Sequence, residues 1–216
     1  MILERRLNKI KAMLDKKQPT LELFLDDVSS SQNNSAILRT ADAVGILRVY
    51  YAVKNNHSAK IHPTITQGSE RWVYRRRINY NERIEFLKQK KSEGFSLAVT
   101  AFDESSINFR EYDYTKPTIV VMGNEKEGVS KEVEALADSK IIIPMMGMAQ
   151  SLNVSVATAI ILYEAQRQRF EAGMYDKRQL SNEEYEKILE QIVYKESIAK
   201  RSKGAIEFTK RLWLDW

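Results

Sequence analysis

Residues 141–169 decide the fold; they read IIIPMMGMAQSLNVSVATAIILYEAQRQR. An apolar, β-branched run ends at Pro144, as expected of a buried strand, and a loop follows. From Ser151 onward, apolar side chains recur at the spacing of a helix. This stripe comprises Val154, Ala157, Ile161 and Ala165, widened by Val156, Ile160 and Tyr163. The pattern predicts a strand, a loop and a helix that is buried along most of its length.

Three polar residues, Gln150, Ser151 and Asn153, stand at the start of this helix. The free backbone N–H groups and the positive dipole end of a helix favour an electron-rich ligand at that point. An ordinary N-cap on a core helix explains the same residues equally well. Both interpretations stay open on physical grounds alone.

Composition excludes several classes of protein. The 216 residues suit one domain with modest appendages, and 43% hydrophobic residues indicate a packed globule. No apolar run approaches the roughly 20 residues that cross a bilayer, and the amphipathic start differs from a signal peptide. Without cysteine, and with only His57 and His62, neither disulfides nor a metal site is expected. The lack of cysteine is compatible with a cytoplasmic protein.

The net charge of +5 is unevenly distributed. Residues 1–17 carry six Lys or Arg against two acids, residues 68–91 eight against three, and residues 195–211 six against two. Separate basic segments suit a ligand with a phosphate backbone. Solvated helix faces are also rich in Lys and Arg, so one such segment would mean little. Three segments, together with Arg167 and Arg169, favour a nucleic-acid partner.

Strand and helix patterns alternate from residue 21 to residue 169. Strands are predicted over 21–28, 48–54, 95–102 and 140–143 and before Gly123, and helices over 36–44, 79–91 and 131–137. This alternation is typical of an α/β fold, a parallel sheet with helices on both faces. We therefore place the main domain at residues 20–170, with a helical extension over 171–216 that includes a helix at 182–201.

An amphipathic helix over residues 2–16 precedes this domain, within an N-terminal segment 1–19. Its apolar stripe comprises Leu3, Leu7, Ile10 and Leu14, and its basic side carries Arg5, Arg6, Lys9 and Lys16. Such a helix can dock on the body of the protein and face nucleic acid. Residues 67–77, QGSERWVYRRR, place aromatic side chains among Arg, which suits RNA binding or, equally well, a β-strand with a charged edge.

Two phosphate-binding motifs can be excluded. The segment 123–130, GNEKEGVS, has the glycine spacing of a P-loop, but Val129 replaces the required Lys and two Glu side chains would repel phosphates. The dinucleotide fingerprint G-x-G-x-x-G is absent. What remains is three loops that follow predicted strands, and in an open parallel sheet ligands bind at such strand ends. These loops carry Asn33 with Arg39, then Gly123, Asn124 and Glu125, then Ser151 and Asn153.

The same residues resemble the three signature motifs of the SPOUT superfamily of RNA methyltransferases, most closely its TrmH/SpoU branch. The motifs are NNSAILRTADAVG (33–45), VVMGNEKEGVS (120–130) and the stretch quoted first. Asn34 stands where relatives often have an apolar residue, and the tail after residue 203 aligns with nothing in the family. We expect the two Trp of that tail to pack against the body of the protein or against a partner chain.

The resemblance implies a SPOUT fold, in which the C-terminal segment threads a loop to form a trefoil knot. It also implies a homodimer that binds S-adenosyl-L-methionine in the knot and methylates the ribose 2′-hydroxyl of guanosine 18 in the D-loop of tRNA. Cofactor contacts are then expected at Thr100, Gly123, Ile143, Met148 and Leu152, with Met145 nearby. The catalytic set is Asn33, Arg39, Glu125, Ser151 and Asn153.

For RNA contacts, the resemblance implies Arg167 and Arg169, and the charge pattern adds Arg5, Arg6 and Lys9. In the family, the counterpart of Arg39 activates the 2′-hydroxyl. Because a guanidinium stays protonated, we expect it to bind a phosphate and stabilise the developing alkoxide. A structural ion pair of Arg39 with Asp26 or Asp42 is the alternative from the residues alone. For the whole chain, a ribosomal RNA methyltransferase of the same superfamily, or an RNA-binding protein without catalysis, is the alternative function.

Overall fold

A computed structural model of the chain describes residues 3–54 and 60–201, with side chains as far as residue 195. The strands found in these residues are β1 (Leu21–Asp26), β2 (Arg48–Ala52), β3 (Tyr74–Arg77), β4 (Ser96–Thr100), β5 (Ile107–Asn108), β6 (Thr118–Met122) and β7 (Ser139–Ile142). They form one parallel sheet in the order β3-β2-β1-β6-β4-β7-β5. The predicted α/β fold with a parallel sheet is confirmed.

The α-helices of the described residues are α1 (Glu4–Leu14), α2 (Ser31–Ala43), α3 (Pro63–Thr66), α4 (Arg83–Ser92), α5 (Lys131–Glu134), α6 (Val154–Glu171) and α7 (Asn182–Arg201). The predicted alternation of strands and helices is confirmed. The central helix α6 begins at Val154 rather than at Ser151. Neither α3 nor β5 has a periodic pattern, because both are very short. None of the described helices is both long and apolar enough to cross a membrane.

Side chains of β1 enter two separate cores, because successive residues of a strand point to opposite faces of the sheet. Leu23 and Leu25 pack in a core that includes Ile37 of α2 and Ile161 of α6. Phe24 packs in the other core, which includes Leu87 of α4 and Val133 of α5. Helices therefore cover both faces, as predicted.

A third core joins the two ends of the described chain. Ile10 and Leu14 of α1 pack with Tyr185 and Ile188 of α7. The prediction for α1 needs one correction, since Leu3 precedes the helix and is 70% exposed. The basic tail, residues 202–216, and the predicted packing of its two Trp lie outside the described residues.

Gly45 ends α2 as the sequence predicts. Its φ of 82° lies in the left-handed region, which glycine adopts at little cost. A Cβ at this position would lie 2.7 Å from the backbone oxygen of Lys16. The glycine therefore allows the chain to turn from α2 into β2 while the segment before β1 packs closely against it.

The widened apolar stripe on α6 is only partly buried. Ile161 and Ala165 are 1% and 0% exposed, as predicted. Val156 and Tyr163, which were expected to widen the buried stripe, are 47% and 52% exposed. They lie on the outer side of the helix because α2 and the sheet cover only its inner side.

Candidate active site

Three polar side chains that are far apart in the sequence form one hydrogen-bonded chain. Asn153 donates from Nδ2 to Oδ1 of Asn33 at 3.1 Å. Asn33 in turn donates from Nδ2 to the carboxylate of Glu125. The carboxyl ends of β1 and β6 are adjacent in the sheet, which brings the loops after them together. Three of the five predicted catalytic residues are thus in direct contact.

Local capping fixes the position of Asn33 and Asn153. Oγ of Ser30 caps α2 by accepting a hydrogen bond from the backbone N–H of Asn33 at 3.3 Å. Oδ1 of Asn153 caps α6 by accepting from the backbone N–H of Ser155 at 2.9 Å. An N-cap satisfies a free N–H group of the first helical turn. The N-cap interpretation is therefore confirmed for Asn153, which also belongs to the hydrogen-bonded cluster, and the interpretation as a ligand site stays a prediction.

Asn34 holds the loop between β1 and α2. Its side chain is fully buried, and Nδ2 donates to the backbone oxygens of Val28 at 2.8 Å and Ser30 at 2.9 Å. An apolar residue cannot make these bonds. The departure seen in the sequence is therefore a local structural solution that fixes this loop to the first turn of α2, where Asn33 lies.

The loop after β6 folds back on itself and projects Glu125. Asn124 and Gly128 exchange two backbone hydrogen bonds of 2.9 Å. A Cβ on Gly123 would lie 2.1 Å from the carbonyl carbon of Gly128, so only glycine fits there. Nδ2 of Asn124 also donates to the backbone oxygen of Asp27 at 2.9 Å. The loop is thus tied to the end of β1, beside Asn33.

A cavity of about 520 Å³ opens next to this polar chain. Residues 100–103, 122–129, 141–143 and 150–152 line it, so its walls come from the carboxyl ends of β4, β6 and β7. Its size is typical of small-molecule sites. The predicted cofactor residues Thr100, Gly123, Ile143 and Leu152 all line it, as do the catalytic candidates Glu125 and Ser151.

One wall of the cavity is held by an ion-pair cluster that the motifs do not include. Nζ of Lys140 lies 2.8 Å from Oδ2 of Asp103 and 2.8 Å from Oε1 of Glu134. The hydrogen bond from Lys140 lowers the pKa of both carboxyls. The only sequence signal for Asp103 is its position just after the predicted strand that ends near Thr100.

Met148 does not meet the expectation of a cofactor contact. Its side chain is 100% exposed and lies outside the cavity, whereas Met145 lines the cavity. Met146 is 94% exposed as well. The loop between β7 and α6 therefore turns Met146 and Met148 outward, away from the cavity.

Arg39 is exposed on α2 and does not line the cavity. Its Nη1 donates to the backbone oxygen of Ile65 at 3.4 Å. The carboxylates expected to pair with it have other partners: Asp42 lies 3.2 Å from Lys17, and Asp26 lies 3.5 Å from Arg83. Within residues 3–54 and 60–195, the Arg39 guanidinium makes no ion pair, which argues against the structural alternative.

The two arginines at the end of α6, Arg167 and Arg169, differ in their exposure and in their partners. Arg167 is half exposed and pairs with Glu164 at 2.7 Å and Glu171 at 2.6 Å. Arg169 was expected to contact RNA, but its side chain is 0% exposed. Its guanidinium donates to Gln18, Thr20, Tyr114 and Lys116. The prediction for Arg169 is wrong, because two positions along a helix move a side chain to the opposite face.

The basic candidates of the N-terminal helix remain at the surface. Arg5 and Lys9 are exposed on α1. The guanidinium of Arg6 lies 5.1 Å from the ring centre of Trp72, so α1 contacts the second basic segment. Of that segment, residues 74–77 form the edge strand β3, so the interpretation as a β-strand with a charged edge is confirmed for them, and RNA binding stays a prediction.

Comparison with known proteins relates this geometry to RNA methylation. The chain matches the model of the SpoU rRNA methylase family over residues 20–163, and that of its C-terminal region over 167–197. An Aquifex aeolicus (strain VF5) protein named tRNA (guanosine(18)-2′-O)-methyltransferase is 50% identical over 203 residues, which are 94% of this chain and 95% of that protein.

Solved structures agree with this relationship. The crystal structure of the A. aeolicus TrmH/SpoU tRNA modifying enzyme has a TM-score of 0.86 at 50% identity, and the match covers 91% of this chain and 98% of that one. An AdoMet-bound rRNA methyltransferase from Sinorhizobium meliloti has a TM-score of 0.61 at 29% identity, over 73% of this chain and 59% of that one.

Proposed function

Because the chain belongs to the SpoU rRNA methylase family, we propose that it methylates the ribose 2′-hydroxyl of guanosine 18 in tRNA. S-adenosyl-L-methionine is the methyl donor. The observation that carries this proposal is 50% identity to a tRNA (guanosine(18)-2′-O)-methyltransferase over 95% of that protein's length. The substrate is the D-loop of tRNA, and we place the reaction in the cytoplasm.

The cavity suits this cofactor. Thr100, Gly123, Ile143 and Leu152 offer backbone groups and apolar side chains, as an adenosine moiety requires, and the related S. meliloti structure is AdoMet-bound. When bound, S-adenosyl-L-methionine supplies a methyl group made electrophilic by its sulfonium. Gly123 keeps the loop after β6 close enough to form one wall, and Leu152 forms another.

The residues of the chain then act by position and charge. With S-adenosyl-L-methionine bound, its sulfonium would supply the methyl group to the ribose 2′-oxygen, and a phosphate oxygen of the substrate would accept the hydroxyl proton. Arg39 binds that phosphate and stabilises the developing alkoxide. Asn153 and Asn33 hold Glu125 at the rim of the cavity, and Ser151 is a further polar residue that lines the cavity. Orientation of the two reactants supplies much of the acceleration.

The trefoil knot of the family and a homodimer belong to the same proposal. For the knot, support comes from the long connection between β4 and β6, which pairs with β7 and also contacts the end of α6. For the homodimer, support comes from Val156, Tyr163 and Phe170, which are exposed at seven-residue spacing along α6. Met146 and Met148 add to this exposed apolar surface.

Sequence identity favours tRNA over ribosomal RNA as the substrate. The chain is 50% identical to the tRNA modifying enzyme from A. aeolicus but 29% identical to the rRNA methyltransferase from S. meliloti. An RNA-binding protein without catalysis is disfavoured, because Asn33, Glu125 and Asn153 are present and in contact.

Transfer of label from S-adenosyl-L-methionine to an unmodified tRNA transcript tests the function. We expect 2′-O-methylguanosine at position 18, and no label on a transcript with 2′-deoxyguanosine there. Label on ribosomal RNA alone would keep the fold and cofactor but overturn the substrate. No transfer to either RNA would overturn the enzymatic function.

A further inference from the structure

Arg169 is a buried cation surrounded by neutral oxygens. Its Nε donates to the backbone oxygen of Tyr114 at 2.8 Å. Nη1 donates to Oε1 of Gln18 at 3.1 Å and to Oγ1 of Thr20 at 3.0 Å. Nη2 donates to the backbone oxygens of Thr20 at 3.0 Å and Lys116 at 3.2 Å. A guanidinium has five N–H donors, so none remains for a phosphate.

Gln168 extends these contacts along the same segment. Its Nε2 donates to the backbone oxygen of Tyr112 at 3.0 Å, and its Oε1 accepts from the backbone N–H of Tyr114 at 2.9 Å. Gln168 and Arg169, which we call the clamp, thus hold alternate residues 112, 114 and 116. The end of α6 is thereby fastened to the last part of the connection between β4 and β6.

That connection, residues 101–117, is here called the covering segment. Its first residues, 101–103, line the cavity. Its middle pairs with β7, where Ile107 is opposite Ile141 and Asn108 opposite Ile142. The backbone N–H of Phe109 also donates to the oxygen of Ile142 at 3.0 Å. Since residues 141–143 line the cavity too, the covering segment contributes one cavity wall and supports another.

Burial makes the clamp sensitive to substitution. Arg169 has no carboxylate among its five acceptors, and burial lowers its pKa to about 10. Removal of the guanidinium would leave the backbone oxygen of Tyr114 and Oε1 of Gln18 without this donor, which is costly in a protein interior. The backbone oxygens of Thr20 and Lys116 would keep their hydrogen bonds from Thr118. The covering segment would then be held by the hydrogen bonds of Gln168, by the short pairing of β5 with β7 and by the core packing of Phe109, Tyr112 and Tyr114.

We propose that Gln168 and Arg169 are positioning residues for the methyl-donor site: they fix the covering segment and so preorganise the cavity. This inference rests on the proposed function, because it takes the cavity as the cofactor site. It assigns to Arg169 a role in binding the methyl donor. The exposed Arg167 has a different proposed role, which is contact with RNA.

Arg169→Gln and Arg167→Ala form the matched pair that tests the clamp. For Arg169→Gln, the Kd and KM for S-adenosyl-L-methionine should rise at least about tenfold, which corresponds to about 1.4 kcal/mol. The tRNA Kd should stay within about twofold, and kcat at saturating donor should change much less than KM. For Arg167→Ala, tRNA binding should weaken while donor binding stays constant.

Arg169→Lys separates the clamp from a simple charge. Three ammonium donors cannot reach five acceptors in a planar fork, so this variant should lose donor affinity as Arg169→Gln does. If Arg169 instead serves RNA through its charge, Lys would restore tRNA binding and donor affinity would be normal in both variants. That result, or unchanged binding of both ligands to Arg169→Gln, would overturn the proposal.

Gln168→Ala and Thr20→Val keep the test decisive if the Arg169 variants do not fold, as judged by near-ultraviolet circular dichroism. Gln168→Ala removes one of the two clamp residues, and Thr20→Val removes one acceptor of Arg169. Each should raise the donor Kd without changing the tRNA Kd. Donor binding is measured by calorimetry without RNA. Failure of the wild type to methylate tRNA would therefore refute the proposed function, whereas normal donor binding by these variants would refute the clamp.

Discussion

Asn153 donates a hydrogen bond to Asn33 across 3.1 Å, although 120 positions separate them in the chain. The amide of Asn153 has two tasks. Its oxygen accepts from the backbone N–H of Ser155 and caps α6, and its nitrogen orients Asn33, which holds Glu125. Because the tasks belong to different atoms, substitution can separate folding from catalysis at this position.

Asn153→Asp should lower turnover without lowering stability. Asp is as good an N-cap as Asn, but it cannot donate to Asn33, and it adds a negative charge near Glu125. We expect kcat to fall at least about tenfold, which corresponds to about 1.4 kcal/mol, with an unchanged melting temperature. Asn153→Ala should in addition cost about 1 kcal/mol of stability through the lost cap. Wild-type turnover in Asn153→Asp would show that the link to Asn33 is dispensable.

Arg39→Ala should affect methyl transfer rather than cofactor binding. The side chain is exposed and lies outside the cavity, and among the described residues its one hydrogen bond is to the backbone oxygen of Ile65, at 3.4 Å. Loss of a donor that stabilises a developing oxyanion lowers kcat by about 10²-fold or more. Single-turnover methylation should show this loss, while calorimetry should give an unchanged Kd for S-adenosyl-L-methionine. A defect confined to donor binding would contradict the role of Arg39.

Gly123→Ala should destroy the cofactor site, whereas Gly147→Ala should be tolerated. A Cβ on Gly123 would lie 2.2 Å from the backbone nitrogen of Val129, so the loop would have to move. A Cβ on Gly147 would meet nothing within 4 Å. We expect donor affinity to fall at least about tenfold, or about 1.4 kcal/mol, only in Gly123→Ala. Equal affinity of both variants would argue against this loop as a cavity wall.

The sequence predicts the sheet and most of the site for physical reasons. Strands β1, β4 and β6 are largely apolar, because strands covered by helices on both faces of the sheet bury the side chains of both faces. In the chain, Asn33 follows β1, Glu125 follows β6 and Asn153 follows β7. Parallel strands place their carboxyl ends at one edge of the sheet. The convergence of the three side chains could therefore be expected, although their hydrogen-bond order could not.

The sequence is less informative where distant loops supply the partners. Helical spacing places Arg169 four residues after the buried Ala165, so its burial could have been predicted from the stripe. Its acceptors on Thr20 and Tyr114 could not, because no local pattern encodes them. Similarly, β5 has two residues, and its pairing with β7 comes from a distant part of the chain. Met148 lies in a loop whose direction the sequence does not determine.

Lys140→Met should weaken the acid dependence of stability. Lys140 lowers the pKa of Asp103 and Glu134, so both bind a proton less readily in the folded state. Their stabilisation is present above the unfolded pKa values, about 4, and is lost as the pH falls through the lower folded values. The melting temperature of the wild type should therefore fall more between about pH 6 and about pH 3 than that of Lys140→Met.

Lys88→Met is the control for this measurement. Lys88 also pairs with a carboxylate, Glu85 at 3.4 Å, but both side chains are largely exposed. Exposed pairs of this kind contribute little. The control should keep the acid dependence of the wild type. If Lys140→Met and Lys88→Met behave alike, the cluster on the cavity wall does not contribute to acid sensitivity.

Tyr163→Glu should dissociate the proposed homodimer. Val156, Tyr163 and Phe170 are 47%, 52% and 63% exposed and lie seven residues apart, so they line one side of α6. In a two-fold interface each substitution acts twice, once in each subunit. Loss of one buried aromatic side chain costs about 1.5–3 kcal/mol, so two losses should raise the dimer Kd at least about 100-fold.

Tyr194→Glu supplies the matched control, because Tyr194 is equally exposed, at 56%, but lies on α7. Analytical ultracentrifugation should find a dimer for the wild type and Tyr194→Glu, and a monomer for Tyr163→Glu at the same concentration. A dimer that dissociates only in Tyr194→Glu would move the interface to α7. A monomeric wild type would refute the homodimer, and the exposed stripe on α6 would then need another partner, for which tRNA itself is the first candidate to test.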